Sequence, residues 1–191
     1  LKSVNRRLFQ GLYKLTELNL SDNPELSNID DGLFWSLFNV TKICLTGNNI
    51  KQLNLPRLFK HCHRLTHLDL SNYQLDNRTF NPENMGHLIN LKELVLNDNQ
   101  LENMEFARDM TQLVSLNLKN NKIESIEKDG YNLLGRLRCL QYLDLSCNRI
   151  KSLSKDVYAQ LENYLVELDS SEKFFSSQPG RAIQLFRYSD P

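Results

Sequence analysis

The chain is poor in glycine (7 of 191 residues) and proline (5), and neither sign of charge predominates, with 23 basic against 23 acidic side chains. Scarcity of Gly and Pro excludes collagen-like and low-complexity classes. Balanced charge removes any chain-wide attraction to nucleic acid or an anionic membrane, and no nucleic-acid partner is expected. No uninterrupted apolar run approaches the roughly 18–20 residues that span a bilayer, and no charged-then-apolar leader opens the chain. Also missing are G-x-S-x-G, H-E-x-x-H, the P-loop and G-x-G-x-x-G. Neither catalysis nor a cofactor is therefore expected.

Leucine is abundant, at 36 residues, and it recurs at a fixed spacing. The pattern L-x-x-L-x-L-x-x-N is met at Leu15, Leu18, Leu20, Asn23 and again at Val40, Ile43, Leu45, Asn48. A third copy, Leu65, Leu68, Leu70, carries Tyr73 in place of the asparagine. Three more follow at Leu91, Leu94, Leu96, Asn99; Leu113, Leu116, Leu118, Asn121; and Leu140, Leu143, Leu145, Asn148. A seventh begins at Leu165 and Leu168, then departs at Ser170 and Lys173. The starts lie 25, 25, 26, 22, 27 and 25 residues apart. A period of this length marks a solenoid.

The physics of one unit explains the pattern. Leu-x-Leu alternation predicts a short strand with one buried face. The asparagine follows where the chain turns, and its amide can satisfy backbone groups there, so stacked units predict a ladder of amides. A second apolar set, such as Ile29, Leu33, Phe34 and Leu37, closes the unit from behind. One unit cannot bury its leucines alone, so neighbours must stack.

These repeats resemble the leucine-rich repeat family. Four of the segments between strands fit L-x-x-x-x-F-x-x-L: Val4 to Leu12 with Phe9, Ile29 to Leu37, Ile126 to Leu134 with Tyr131 for Phe, and Leu153 to Leu161 with Tyr158 for Phe. That form is similar to the animal extracellular type found in Toll-like receptors and adhesion receptors. The resemblance implies an α/β solenoid: curved, with parallel strands on the concave face and short helices or irregular turns on the convex face. It implies about seven units over residues 1–170, cut from a longer array at the N-terminal side because Leu1 and Val4 already sit late in a repeat. Residues 171–191 are expected to form an irregular apolar tail that covers the open end or binds a partner. The cysteine-rich caps common in the family are missing.

Four cysteines could make two disulfides, but the register separates them. Cys62 and Cys139 fall three units apart, about 14 Å at 4.8 Å per strand, whereas a disulfide needs Cα atoms within about 7 Å. Thiols left reduced favour a reducing compartment. The sequons at Asn19, Asn39 and Asn77 number what chance gives for this composition, and Asn77, in the longest polar loop, is the candidate glycan acceptor. His61, Cys62, His63 and His67 lack paired metal-ligand spacing, so no metal is expected.

Function is expected on the concave face as protein binding. Across seven units the register places nine acidic residues there against three lysines, Lys42, Lys92 and Lys119, which would steer a partner bearing a basic patch. The partner-binding residues expected are Glu17, Lys42, His67, Asp69, Glu93, Val95, Asn117, Tyr142 and Asp144. Asp69 and Asp144 also read as structural, since Asp-Leu-Ser is a frequent repeat choice. Rows of Glu93, Ser115, Tyr142 and of Val95, Asn117, Asp144 are predicted. Tyr73 and the run from Asp76 to Asn84 predict an irregular, displaced turn after the third strand. The resemblance implies an extracellular or cell-surface recognition protein of receptor signalling, innate immunity or adhesion. The alternative is an intracellular scaffold or regulatory subunit.

Overall fold

The computed structural model describes residues 2–51, 53–128, 131–150, 154, 155, 157 and 167–169, without the side chains of 128, 131 and 167–169. The tail from 171 onwards lies outside the described residues.

Seven three-residue strands form one parallel sheet in chain order: Glu17–Asn19, Lys42–Cys44, His67–Asp69, Glu93–Val95, Ser115–Asn117, Tyr142–Asp144 and Glu167–Asp169. Their middle residues, Leu18, Ile43, Leu68, Leu94, Leu116 and Leu143, point inward and are buried. The flanking residues of each strand are turned to the other face, as the period of two requires. Each unit begins one strand and then returns behind the sheet. The predicted solenoid and its register are both present, and the rows Glu93–Ser115–Tyr142 and Val95–Asn117–Asp144 are paired as read from the sequence.

After each of the first six strands the chain turns through the left-handed region, one residue before the ladder position. Asp22, Gly47, Asn72, Asp98, Asn120 and Cys147 have φ between 53° and 73°. Asp and Asn tolerate that conformation better than most residues. At Gly47 a Cβ would also crowd the Asp22 backbone, at 3.1 Å from both its N and its Cα.

The asparagine ladder holds the turns together. Asn121 Nδ2 donates to Leu118 O and, one unit back, to Leu96 O, both at 3.0 Å, while its Oδ1 accepts from Leu101 N at 3.0 Å. Asn99 does the same for Leu96 O and Leu70 O, and Asn148 for Leu145 O and Leu118 O. Each amide therefore satisfies carbonyls in two successive units.

Tyr73 departs from expectation in an instructive way. Its ring packs against the core, and its hydroxyl donates to Leu45 O, the carbonyl an asparagine here would have reached. The ladder thus continues through a longer side chain. The turn is nevertheless irregular: Gln74 takes φ +55°, and a cleft of about 380 Å³ opens between Ile50, Leu53 and Tyr73. Burial pushes the phenol pKa up to about 12, against a smaller lowering by Asn48.

The convex side is built of short pieces: 3-10 turns at Arg6–Phe9, Glu105–Ala107 and Leu133–Arg136, and single α turns at Leu55–Leu58 and Pro82–Met85. Phenylalanines fill the space behind them. Phe34 and Phe59 stand 5.6 Å apart, and Phe80 meets Phe106 edge-on at 4.9 Å. All four are fully buried. Among the described residues no helix is long and apolar enough to cross a membrane.

Candidate functional site

The outward-facing strand residues make two rows across the sheet. The first runs Glu17, Lys42, His67, Glu93, Ser115, Tyr142. Glu17, Lys42 and Glu93 are exposed, while His67 and Tyr142 are half-buried. His67 Nε2 lies 3.5 Å from Glu93 Oε2, so these two neighbours form one polar cluster. The second row runs Asn19, Cys44, Asp69, Val95, Asn117, Asp144.

That second row is largely structural. Asp69 Oδ1 accepts from Ser71 N at 3.0 Å and Ser71 Oγ at 2.7 Å. Asp144 Oδ1 accepts from Ser146 N at 2.9 Å and Ser146 Oγ at 2.6 Å. Asn19 bonds Ser21 in the same way, and Asn117 Oδ1 accepts from Lys119 N. A short acceptor two residues ahead of the turn closes the backbone on itself. Asp144 is only 4% exposed, so its expected place among the partner-binding residues is corrected: a carboxylate covered and bonded inward cannot meet a ligand cation.

Of the described members of this face, Glu17, Asp22, Glu93 and Asp98 are exposed, as are Lys42, Lys92 and Lys119. With Asp69 and Asp144 the described carboxylates of this face number six against three lysines, and Glu167, Asp169 and Glu172 lie outside the described side chains. Asp98 is further engaged by Asn120 and Asn97. What remains presentable to a partner is the cluster of His67, Glu93, Val95 and Tyr142, flanked by Glu17 and Lys42.

Other candidates can be placed as well. Asn77 is half-buried, and its Nδ2, the atom a glycan would occupy, donates to Asn103 O at 3.1 Å and Asn103 Oδ1 at 3.0 Å. No disulfide joins the four cysteines. Cys62 is buried in a position where neighbouring units carry leucine, and burial raises its thiol pKa to about 12. Cys44 is half-buried on the sheet face, and burial, then Asp69, raises its pKa. Among the described residues no group of three metal-ligating side chains converges.

Sequence reasoning missed one feature. Tyr13, Phe38, His63 and Ile89 share one repeat position on the convex side, 25, 25 and 26 residues apart, and all four are exposed. The signal was that spacing, in segments whose variable length hides the register.

Comparison with known proteins agrees with this architecture. A family profile described as leucine rich repeat matches residues 1–50, one described as leucine rich repeats (2 copies) matches 89–132, and a third, again leucine rich repeat, matches 139–161. Osteomodulin of Rattus norvegicus is 30% identical over 163 residues, 74% of this chain and 38% of that protein. Lumican of Gallus gallus is 31% identical over 179 residues, 92% of this chain and 49% of that protein. The chain thus spans less than half the length of these curated relatives. Among solved structures, a TLR13–ssRNA13 complex superposes with a TM-score of 0.71 at 27% identity, over 87% of this chain and 23% of that one.

Proposed function

The chain belongs to the leucine-rich repeat family, and from that premise we propose that it is a protein-recognition module of an extracellular or cell-surface protein, binding a protein partner on its concave face around units four to six. The observation that carries the reading is the register of the sheet. Glu93, Ser115 and Tyr142 stand side by side, with Val95 beside them in the next row. An aromatic and an aliphatic anchor next to an exposed carboxylate supply both affinity and orientation. Strand spacing of about 4.8 Å brings these groups within the footprint of one partner segment.

Osteomodulin and lumican, two of the relatives matched, are extracellular, which supports the location. The absence of a disulfide among the four cysteines favours the second reading, an intracellular scaffold or regulatory subunit.

Affinity measurement on a bound protein tests the site. Tyr142→Ala is expected to weaken binding some thirtyfold, since an aromatic anchor contributes about 2–4 kcal/mol. Glu93→Lys is expected mainly to slow association and reduce its salt dependence. Lys155→Glu, away from the sheet, serves as the unchanged control. Full affinity in both concave variants, with loss on substitution near Asn77, would move recognition to the loops.

A further inference from the structure

A second surface stands on the convex side of units one to three, away from the concave cluster. Tyr13 and Phe38 are 54% and 52% exposed, yet their rings lie parallel, 6.2 Å apart and 14° from coplanar. His61 stands edge-on to both Phe38 and Trp35, at 6.3 and 6.0 Å, and joins the pair to an indole that is 41% exposed. Single exposed apolar residues need no explanation, but a contiguous group does.

The charge beside these rings is positive. A cleft of about 450 Å³ beside Trp35 is lined by Arg6, Arg57, Lys60, Asp30 and Asp31. Asp31 pairs with Arg57 at 3.5 Å, which leaves Asp30, its Oδ1 accepting from Gly32 N at 2.8 Å, as the one carboxylate set against Arg6 and Lys60. Among the described residues neither of these cations has a carboxylate within 4.0 Å. The patch therefore offers apolar rings together with an excess of positive charge.

We propose that this convex patch docks an acidic polypeptide segment that also carries apolar side chains. Charge complementarity selects the acid, and the rings select the apolar side chains. Aromatic rings beside cations also suit single-stranded nucleic acid, which needs open ring faces for stacking. The indole offers one at most. A Cβ on Gly32 would meet Trp35 Cδ2 at 3.0 Å and Cε2 at 3.1 Å, and both fusion atoms can be approached that closely only through a ring face. Gly32 thus closes one face, and the Arg6 guanidinium lies over the ring at 5.9 Å.

The test uses the 191-residue chain and a fluorescein-labelled peptide of alternating glutamate and leucine, followed by anisotropy at low salt. Arg6→Glu with Lys60→Glu is expected to weaken binding at least tenfold, and Tyr13→Ser with Phe38→Ser at least fivefold. Glu93→Lys on the concave face should leave it unchanged, so this proposal and the concave one fail separately. Arg6→Gln, a milder change at an exposed site, should give a smaller loss in the same direction and guards against misfolding of the double variants. Equal affinity in all variants overturns the proposal. So does tighter binding of a labelled oligothymidylate than of the peptide, or loss confined to Glu93→Lys.

Discussion

Substitution of Tyr73 separates a packed ring from a ladder defect. A fully covered tyrosine buries about 150–250 Å². Half of that, about 100 Å² at 25 cal/mol/Å², is worth about 2.5 kcal/mol. The hydroxyl bond to Leu45 O adds about 1 kcal/mol. Tyr73→Ala is therefore expected to cost about 3.5 kcal/mol, and Tyr73→Phe about 1 kcal/mol. Tyr73→Asn restores the family residue and its amide bonds but forfeits the ring, so its cost should fall between these two. For a domain of this size each kcal/mol moves Tm by about 2–4 °C, so alanine should lower it by about 7–14 °C. Thermal and urea unfolding measure the series. Ultraviolet titration adds an independent readout: one tyrosine should ionise near pH 12 and vanish in Tyr73→Phe. An alanine variant as stable as the parent chain would refute the packing argument, whatever the titration shows.

Three further outcomes follow from the same contacts. Asn121→Ala leaves the buried Leu101 N–H without its acceptor and takes one of two amide donors from Leu96 O and Leu118 O, so it should cost about 1–3 kcal/mol by urea unfolding, against little for an exposed asparagine such as Asn28. In the native chain a thiol reagent should modify the exposed Cys139 and Cys147 first, Cys44 more slowly, and Cys62 only on unfolding, for four thiols in all. Burial lowers the pKa of His87, against the raising effect of the Phe59 carbonyl, and nearby His63 lowers it further. The unfolded chain then binds more protons as pH falls through the ordinary value of 6.5, so stability should drop there, and less so in His87→Gln. Equal urea midpoints at pH 7.5 and 5.5 would count against that linkage.

The period of the leucines made the register readable, because a buried row at every third strand position leaves no freedom in how units stack. The pairing of Tyr142 with Ser115 and Glu93 follows from that alone. Side-chain behaviour within the register was less readable. Asp69 and Asp144 occupy outward positions, as the alternation dictates, but a serine two residues on draws each carboxylate back to the turn. At Tyr73 the repeat template registers only a missing amide, whereas the reach of a phenol lets it meet the carbonyl one unit back. The convex rings escaped because the segments carrying them are set by core filling rather than by strand pairing. Their exposed positions obey no alternation from which a face could be inferred.

The central claim is that the partner sits on the sheet beside Val95. A photo-crosslinking phenylalanine analogue placed at position 95, and separately at exposed Thr79 in the loop after the third strand, tests it most directly. After irradiation with the bound protein, a covalent adduct is predicted from position 95 and none from position 79. An adduct from position 79 alone would contradict the account and make the concave sheet a scaffold for loops that do the binding.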